Sequence, residues 1–354
     1  MRSGYADLPL HHGRAPPWLF RRMVELSREM VKVIVLEYSQ EEFLKRISNP
    51  YWFQGFGCVL GFDWHSSGLT TTTCGALKEA LKDNDLGIYV CGGKGKTSRR
   101  TLSEIEKSTL RDSKIEELKR ASRLSAKVDS SMVQDSYQLY HHTFIFTEKG
   151  EWTVVQQGMN PDTRYARRYH WLSMNLKEFV EEPHTAICCD QKSETLDLTS
   201  SLSRETRSVS LDLVRDDPEH LRKYLGKNLL RFTMPRRHRI LDVDISERGF
   251  RILKMAHEYQ PQDYEELVSI PGIGPKTLRA LALISDLIYG AKPSWEDPVK
   301  YSYAHGGKDG IPYPVNKSLY DRSIKFLREV VEQAEMGKKE KMNALRRLSD
   351  YASL

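Results

Sequence analysis

The sequence has no long hydrophobic run and few cysteines. No stretch approaches the roughly 20 apolar residues that a membrane-spanning helix needs, and the N-terminal residues lack the apolar core of a secretory signal. The five cysteines are an odd number and include no Cys-x-x-Cys pair, which argues against a disulfide framework and a cysteine-based zinc site. We therefore expect a cytoplasmic protein.

The excess of basic over acidic residues is small. Lys and Arg total 54 against 48 Asp and Glu, which leaves a formal net charge of +6. That excess is weak evidence for a polyanionic partner, but the basic residues are clustered. The clusters are Lys94, Lys96, Arg99 and Arg100; Arg164, Arg167 and Arg168; and Arg236, Arg237 and Arg239. Together they favour nucleic acid as the partner, and we assign the second cluster to nucleic-acid binding.

The first half of the chain has the sequence pattern of an α/β domain with a mixed sheet. Residues 55–93 fit a β-α-β unit, in which an apolar run at 56–64 suits a buried strand. Residues 139–157 fit a β-hairpin around a short turn that contains Gly150. We assign residues 1–190 to this α/β domain.

The second half is predicted to be helical. Residues 191–210 are rich in Ser and Thr and only weakly hydrophobic, so we expect them to form a linker. From residue 211 onward the apolar residues recur at helical spacing. Residues 211–354 are therefore assigned to an all-α domain, and a chain of 354 residues agrees with two domains.

The most specific motif is the string SIPGIGPKT, which starts at residue 269 between two predicted helices. Gly272 and Gly274 remove side chains, so that the backbone amides at the start of the second helix can bind an anion. Ile273 is expected to anchor the turn in the core, Thr277 to add a hydroxyl and Lys276 to add a charge. The alternative is a plain tight turn between two helices.

This string resembles the helix-hairpin-helix family of DNA-binding elements, which contact the phosphate backbone and do not read base sequence. Residues 247–290 also resemble the core of the helix-hairpin-helix DNA glycosylase superfamily. That resemblance implies that Lys276 attacks the sugar carbon in a bifunctional glycosylase/lyase. The nearest match to the assisting aspartate is Asp297, although its surroundings differ from those usual in the family.

A pair of histidines lies on the first strand of the predicted hairpin. The segment resembles the signature of the phospholipase D-like nucleases, in which His141 takes the place of the histidine and Glu148 that of the acid. Asn160 falls near the asparagine of the family. A histidine can attack phosphorus, and a second one, here His142, can protonate the leaving oxygen. The alternative is that one histidine is packed in the core and the other is merely solvated.

The phospholipase D-like pattern lacks its lysine, because Thr143 stands in that place. Lys94 or Lys127 could substitute for it, and the glycines around Lys94 could form a loop that cradles phosphate. Asp63 and His65 lie on one face of the predicted strand at 56–64. They could bind a divalent metal or act as an acid/base pair, but a capping turn would explain this segment equally well.

Six short motifs run through the chain; they are DWHSSG, GGKG, AKVD, LYHH, VQQGM and ARRYHW, which begin at residues 63, 92, 126, 139, 155 and 166. With these motifs the chain resembles the uncharacterised prokaryotic family called domain of unknown function 763. The resemblance covers nearly the full chain and implies a mostly archaeal origin, but it brings no established activity.

The leading hypothesis is a DNA-processing enzyme of DNA repair, with chemistry in the α/β domain and DNA binding in the helical domain. A phosphodiester-cleaving nuclease is placed ahead of a glycosylase/lyase. A non-catalytic DNA-binding adaptor is the remaining alternative, and the missing lysine at Thr143 favours it.

Overall fold

A five-stranded antiparallel sheet forms the centre of the computed structural model, which describes residues 15–62, 66–189, 191–224, 247–301 and 317–352. The strands are β1 (Ile88–Lys94), β2 (Val133–Gln134), β3 (Gln138–Thr147), β4 (Trp152–Met159), β5 (Ala166–Leu172), β6 (His184–Cys188) and β7 (Leu196–Asp197). The order in the large sheet is β1-β3-β4-β5-β6, and β2 pairs with β7 in a separate two-stranded sheet.

Helices surround this sheet. They are α1 (Pro17–Glu37), α2 (Gln40–Ser48), α3 (Pro50–Leu60), α4 (Gly68–Ala80), α5 (Thr101–Ile105), α6 (Asp112–Ser131), α7 (Arg204–Arg215), α8 (Glu247–Tyr259), α9 (Tyr264–Ser269), α10 (Pro275–Tyr289), α11 (Lys317–Gln333) and α12 (Lys338–Ala352). None of the described helices is long and apolar enough to cross a membrane.

The two faces of the sheet are buried in two different cores, because successive side chains of a strand point to opposite faces. Phe144 and Val154 belong to a core that also includes residues of α6 and of the helices α7 to α10. Their neighbours Ile145 and Val155 belong to a second core, formed with α1 to α4, α11 and α12. Every strand residue near the centre of the sheet is therefore covered on its own side.

The strand predicted at 56–64 is wrong over its described residues, because 50–60 form the helix α3. Asn49 caps this helix by accepting bonds from two backbone amides, and Pro50 starts it with the φ that a helix needs. Gly61 ends it in the left-handed conformation at φ 104°. The β-α-β unit is therefore absent from the described part of 55–93, and the sheet is antiparallel where a mixed sheet was predicted.

The hairpin predicted over 139–157 is present as β3 and β4, with Gly150 at φ 93° in the turn. The described helices of the second half agree with the predicted periodicity from residue 247 onward.

The segment 191–210, expected to be a linker, is packed against the rest of the protein. It contains β7 and the start of α7, and its residues Leu196 and Leu198 are buried. One core contains Val154 of the predicted first domain together with Leu281 of the predicted second.

Candidate functional site

The motif that starts at residue 269 forms a turn between two helices. Ile273 is completely buried and anchors the turn. Gly272 is exposed and has φ 93°, a conformation that side chains other than that of glycine rarely adopt. Gly274 has extended backbone and caps α10, and a β-carbon added there would have no heavy atom closer than 3.8 Å. A ligand can therefore approach the helix N-terminus past Gly274.

Several amides in this turn have no acceptor within the described residues. They are the backbone N–H groups of Gly272, Gly274, Lys276 and Thr277. The amides of Ile273 and Leu278, by contrast, bond to the carbonyls of Ile270 and Gly274. Unpaired donors at a helix N-terminus attract anions, because the helix dipole adds to the partial charge of each N–H.

The start of α10 is held in place by Gln134 of β2, three residues after the end of α6. The amide nitrogen of Gln134 donates to the carbonyl of Pro275 at 2.8 Å, and its oxygen accepts from Arg279 Nη1 at 3.1 Å. Both Gln134 and Arg279 are buried. The turn is thus fixed relative to α6, the helix that carries the rest of the site.

A groove with a volume of about 660 Å³ runs along α6 from the turn. Its charged lining residues come from α6, and Ser269 at the end of α9 closes it next to the turn; they are Glu116, Glu117, Arg120, Arg123 and Lys127. Arg120 is paired with Glu265, whereas Arg123 and Lys127 have no carboxylate partner in the described part of the chain. Burial lowers the pKa of Lys127.

A second cavity, of about 270 Å³, lies beside this groove, and Arg123 lines both. Its walls come from α6, the N-terminal end of β3 and the 3-10 helix Gly95–Arg100 with the start of α5. Arg99 adds a second guanidinium, again without a carboxylate partner among the described residues. At its rim, Lys94 Nζ lies 5.8 Å from the centre of the Tyr140 ring.

His142 lines this cavity and belongs to a chain of buried hydrogen bonds. Its Nε2 lies 2.9 Å from Ser122 Oγ, and its Nδ1 lies 2.9 Å from Gln156 Oε1. The amide nitrogen of Gln156 donates to Asp129 Oδ2 at 2.5 Å. Asp129 also accepts from Trp171 Nε1 and lies 2.6 Å from His184 Nε2. Burial lowers the pKa of His142, so its imidazole is neutral near pH 7.

His141 is among the residues around this cavity, but its side chain points to the opposite face of the sheet from His142. Its Nε2 lies 2.9 Å from Thr143 Oγ1, and its Nδ1 is buried without a hydrogen-bond partner in the described structure. Burial is the main cause that lowers its pKa to about 3, and the charges of His142 and Lys94 add to the effect. The alternative of one packed and one solvated histidine is wrong, because both are buried.

Two residues of the phospholipase D-like pattern lie away from the cavity. Glu148 is exposed in the turn at the other end of β3, seven residues and about 23 Å along the strand from His141. Asn160 follows β4, and its side-chain oxygen accepts from the amides of Asp162 and Thr163 in the β4–β5 turn. Neither residue lines the cavity.

The assignment of Arg167 and Arg168 to nucleic-acid binding is wrong, since both side chains are completely buried. Arg167 lies between Asp135 and Asp297, with N–O distances of 2.9 and 2.7 Å. Arg168 bonds to neutral acceptors that include the side-chain oxygen of Gln54. Arg164 of the same cluster is exposed in the β4–β5 turn, at φ 62°.

Asp297, the aspartate predicted to assist a lyase reaction, is fully hydrogen-bonded within the protein. Both oxygens of Asp297 accept hydrogen bonds, one from Arg167 and from the amide of Ser193, the other from the amide of Val299. Its side chain is only 4% exposed. Lys276 is exposed at the start of α10.

The prediction of a phosphate-binding loop around Lys94 is wrong in part, because residues 92–94 belong to the strand β1. The amide of Gly92 donates to Glu104, which is itself paired with Lys78. Asp63 and His65 lie outside the described residues. Within the described ranges, no three His, Cys, Asp or Glu side chains are grouped as a metal site requires.

Ser122 and Gln156 were not among the residues predicted for the site. Ser122, Ser125 and Asp129 share one face of α6, but a serine inside an amphipathic helix gives no local signal of reactivity. Gln156 lies opposite His142 in the β3–β4 pairing.

The model of the family described as protein of unknown function (DUF763) matches residues 4–315. The chain belongs to this family. No curated protein and no solved structure gives a significant match. The likeness of the first half to phospholipase D-like nucleases, and of the second half to helix-hairpin-helix proteins, therefore stays a prediction.

In this DUF763 protein, four of the six motifs meet around the smaller cavity. They supply Lys94 from GGKG, Ala126 from AKVD, both histidines from LYHH and Gln156 from VQQGM. The fifth motif, DWHSSG, lies at the same end of the sheet, where the carbonyl of its Ser67 accepts a hydrogen bond from Gln157 Nε2.

Proposed function

We propose that the protein binds DNA through its phosphate backbone and cleaves a phosphodiester bond in the cavity beside α6. The row of unpaired amides at the start of α10 carries this proposal. Four N–H groups that lack acceptors within the described residues stand at one helix end, next to the exposed Lys276. An oxyanion of phosphate is the ligand that such a helix end favours.

The basic residues extend this contact towards the cavity. Lys127 and Arg123 follow the turn along the groove, and Arg123 together with Arg99 lines the cavity. The other three basic side chains of α6, Lys114, Lys119 and Arg120, are each paired with a glutamate. Unpaired cations in a line suit a backbone with a phosphate at every nucleotide, whose binding releases counterions.

The cavity combines the groups that phosphodiester cleavage needs. His142 is neutral and hydrogen-bonded on both ring nitrogens, so it can accept a proton. The guanidinium groups of Arg99 and Arg123 can neutralise the charge that develops on phosphate. The glycosylase/lyase alternative is less well supported, because Asp297 is bound to Arg167.

Substitutions at Gly274 test the backbone contact without disturbing the fold. Asp is a preferred helix N-cap, and its carboxylate would occupy the amides and repel phosphate. We expect Gly274→Asp to keep or slightly raise the thermal stability and to abolish binding of a fluorescein-labelled duplex, measured by anisotropy.

Gly274→Asn and Gly274→Ala are the matched controls. Asn caps the same amides without charge and should weaken binding less than Asp, whereas Ala adds only a β-carbon that meets no clash and should weaken it least. Equal affinity of the Asp and Ala variants would refute the proposed contact. Binding by the wild type without any cleavage of single-stranded, duplex or abasic DNA would leave the non-catalytic adaptor.

A further inference from the structure

We propose that Ser122 is the nucleophile of this site and that His142 is its general base, so that cleavage proceeds through a phosphoseryl intermediate. This inference rests on the proposed function and names the atoms that carry it out. In this mechanism serine, and not histidine, attacks phosphorus, because His142 Nε2 is already hydrogen-bonded to the hydroxyl of Ser122.

The hydrogen bonds fix the tautomer of His142. Gln156 Nε2 is surrounded by acceptors, the carboxylate of Asp129 at 2.5 Å and the carbonyl of Ser125 at 3.3 Å. The amide oxygen of Gln156 must therefore be the atom that faces His142 Nδ1. An oxygen can only accept, so Nδ1 carries the proton. In the neutral ring Nε2 is then a free base, and the partner 2.9 Å away is Ser122 Oγ.

The hydroxyl of Ser122 behaves unlike the other serines of α6. A serine inside a helix usually donates to a backbone carbonyl of the preceding turn, as Ser125 does to Ser122 and Ser130 does to Lys127. The hydroxyl of Ser122 instead has His142 as its one hydrogen-bond partner in the described structure. Its side chain lines the cavity together with His142, Arg99 and Arg123.

The reaction has two displacements at phosphorus. Ser122 Oγ bonds to phosphorus while its proton moves to His142 Nε2, and the bond from phosphorus to the leaving sugar oxygen breaks as that oxygen takes the proton from His142. Water then attacks the phosphoseryl diester and gives one proton to His142. Ser122 Oγ leaves phosphorus and takes that proton back. Gln156 and Asp129 act as positioning residues, because they keep the basic nitrogen of His142 towards Ser122.

A fluorophosphonate probe tests this chemistry without knowledge of the natural substrate, since an activated serine displaces its fluoride and stays bonded to phosphorus. We expect the full-length protein to be labelled at Ser122, as located by mass spectrometry. Ser122→Ala should lose the label, and His142→Gln should react about 100-fold more slowly or worse. Ser125→Ala, a buried serine on the same helix face, should react like the wild type.

Two further measurements separate this inference from the proposed function. Binding of labelled duplex by Ser122→Ala should match the wild type, and nitrogen-15 NMR should show His142 protonated at Nδ1. A wild type that binds DNA but is not labelled at Ser122 would overturn the inference alone, as would labelling that survives in His142→Gln. A wild type that is labelled at Ser122 but does not bind DNA would overturn the proposed function alone.

Discussion

Ser122 Oγ lies 2.9 Å from His142 Nε2, which joins a helix residue to a strand residue 20 positions later in the chain. The contact exists because α6 crosses the face of the sheet on which His142 and Gln156 stand. Asp129, two turns beyond Ser122 on α6, closes the other end of the same hydrogen-bond chain. One helix thus holds both the hydroxyl and the carboxylate that fix the imidazole.

Asp129→Asn should destabilise the protein and change the tautomer of His142. The carboxylate accepts from Gln156 and Trp171 and is paired with His184. An amide has one acceptor oxygen, so at least one buried donor loses its bond, at a cost of about 1–3 kcal/mol in the free energy of unfolding. Gln156 can then rotate and donate to Nδ1, which would move the proton of His142 to Nε2.

Urea unfolding measures the stability and nitrogen-15 NMR the tautomer of His142. Asp197→Asn is the control, since Asp197 is also buried but bonds to Thr199 and not to Gln156. A His142 that stays protonated at Nδ1 in Asp129→Asn would show that Asp129 does not position it.

His141 should make the protein less stable in acid. Its pKa is about 3 in the folded protein, mainly because of burial, against about 6.5 in an unfolded chain. Between these values the unfolded state binds more protons, so this contribution is fully present above about pH 6.5 and is lost as the pH falls towards 3. Burial also lowers the pKa of His142 and of His170, so both add to the loss of stability in acid.

Urea unfolding of the wild type and of His141→Gln between pH 7 and pH 4 isolates this contribution. One histidine adds at most about 1.4 kcal/mol per pH unit to the dependence of stability on pH. The wild type should therefore lose stability more steeply than the variant. Parallel curves would mean that His141 is not neutral in the folded state.

Arg167→Met should unfold the protein more readily without a direct effect on DNA binding. The substitution leaves the carboxylates of Asp135 and Asp297 buried without their cation, which costs about 3–5 kcal/mol. Arg164→Met removes an exposed arginine of the same sequence cluster and should change stability by less than about 0.5 kcal/mol. If the two variants were equally stable in urea, the buried ion pairs would not support the fold.

Glu148→Gln should leave both DNA binding and cleavage unchanged. Glu148 lies in the β3–β4 turn, and the bond from its backbone amide to Gly87 does not depend on the side chain. The sequence pattern had given it the acidic role of a nuclease. If Glu148→Gln folds normally but no longer cleaves DNA, Glu148 takes part in the reaction and the cavity around His142 is not the cleavage site.

The sequence predicted those elements whose signals are local. The turns at Gly150 and Gly272 each have positive φ, and the flanking strands or helices follow simple periodicity. Residues 56–60 were misassigned because a short apolar run suits a buried strand and a buried helix equally. The signals that identify a helix here are Asn49-Pro50 before the run and Gly61 after it, because they form the caps at its two ends.

The site was only partly predictable, because its members come together through packing. The histidines, Lys94 and Lys127 were recognisable by residue type. Ser122 was not, since a serine inside an amphipathic helix has no local signal of reactivity. The burial of Arg167 could not be read from the sequence either: a run of basic residues usually marks a solvated surface, and here β5 is covered on both faces.

Salt dependence of DNA binding tests the central claim most directly. Anisotropy should be measured for the wild type and Arg123→Ala, with duplexes of two unrelated sequences across a range of sodium chloride concentrations. If phosphates are the ligand, the logarithm of the association constant falls linearly with the logarithm of salt for both sequences alike, and Arg123→Ala makes the slope shallower by about 0.9. Affinity that is insensitive to salt, or confined to one sequence, would contradict the account.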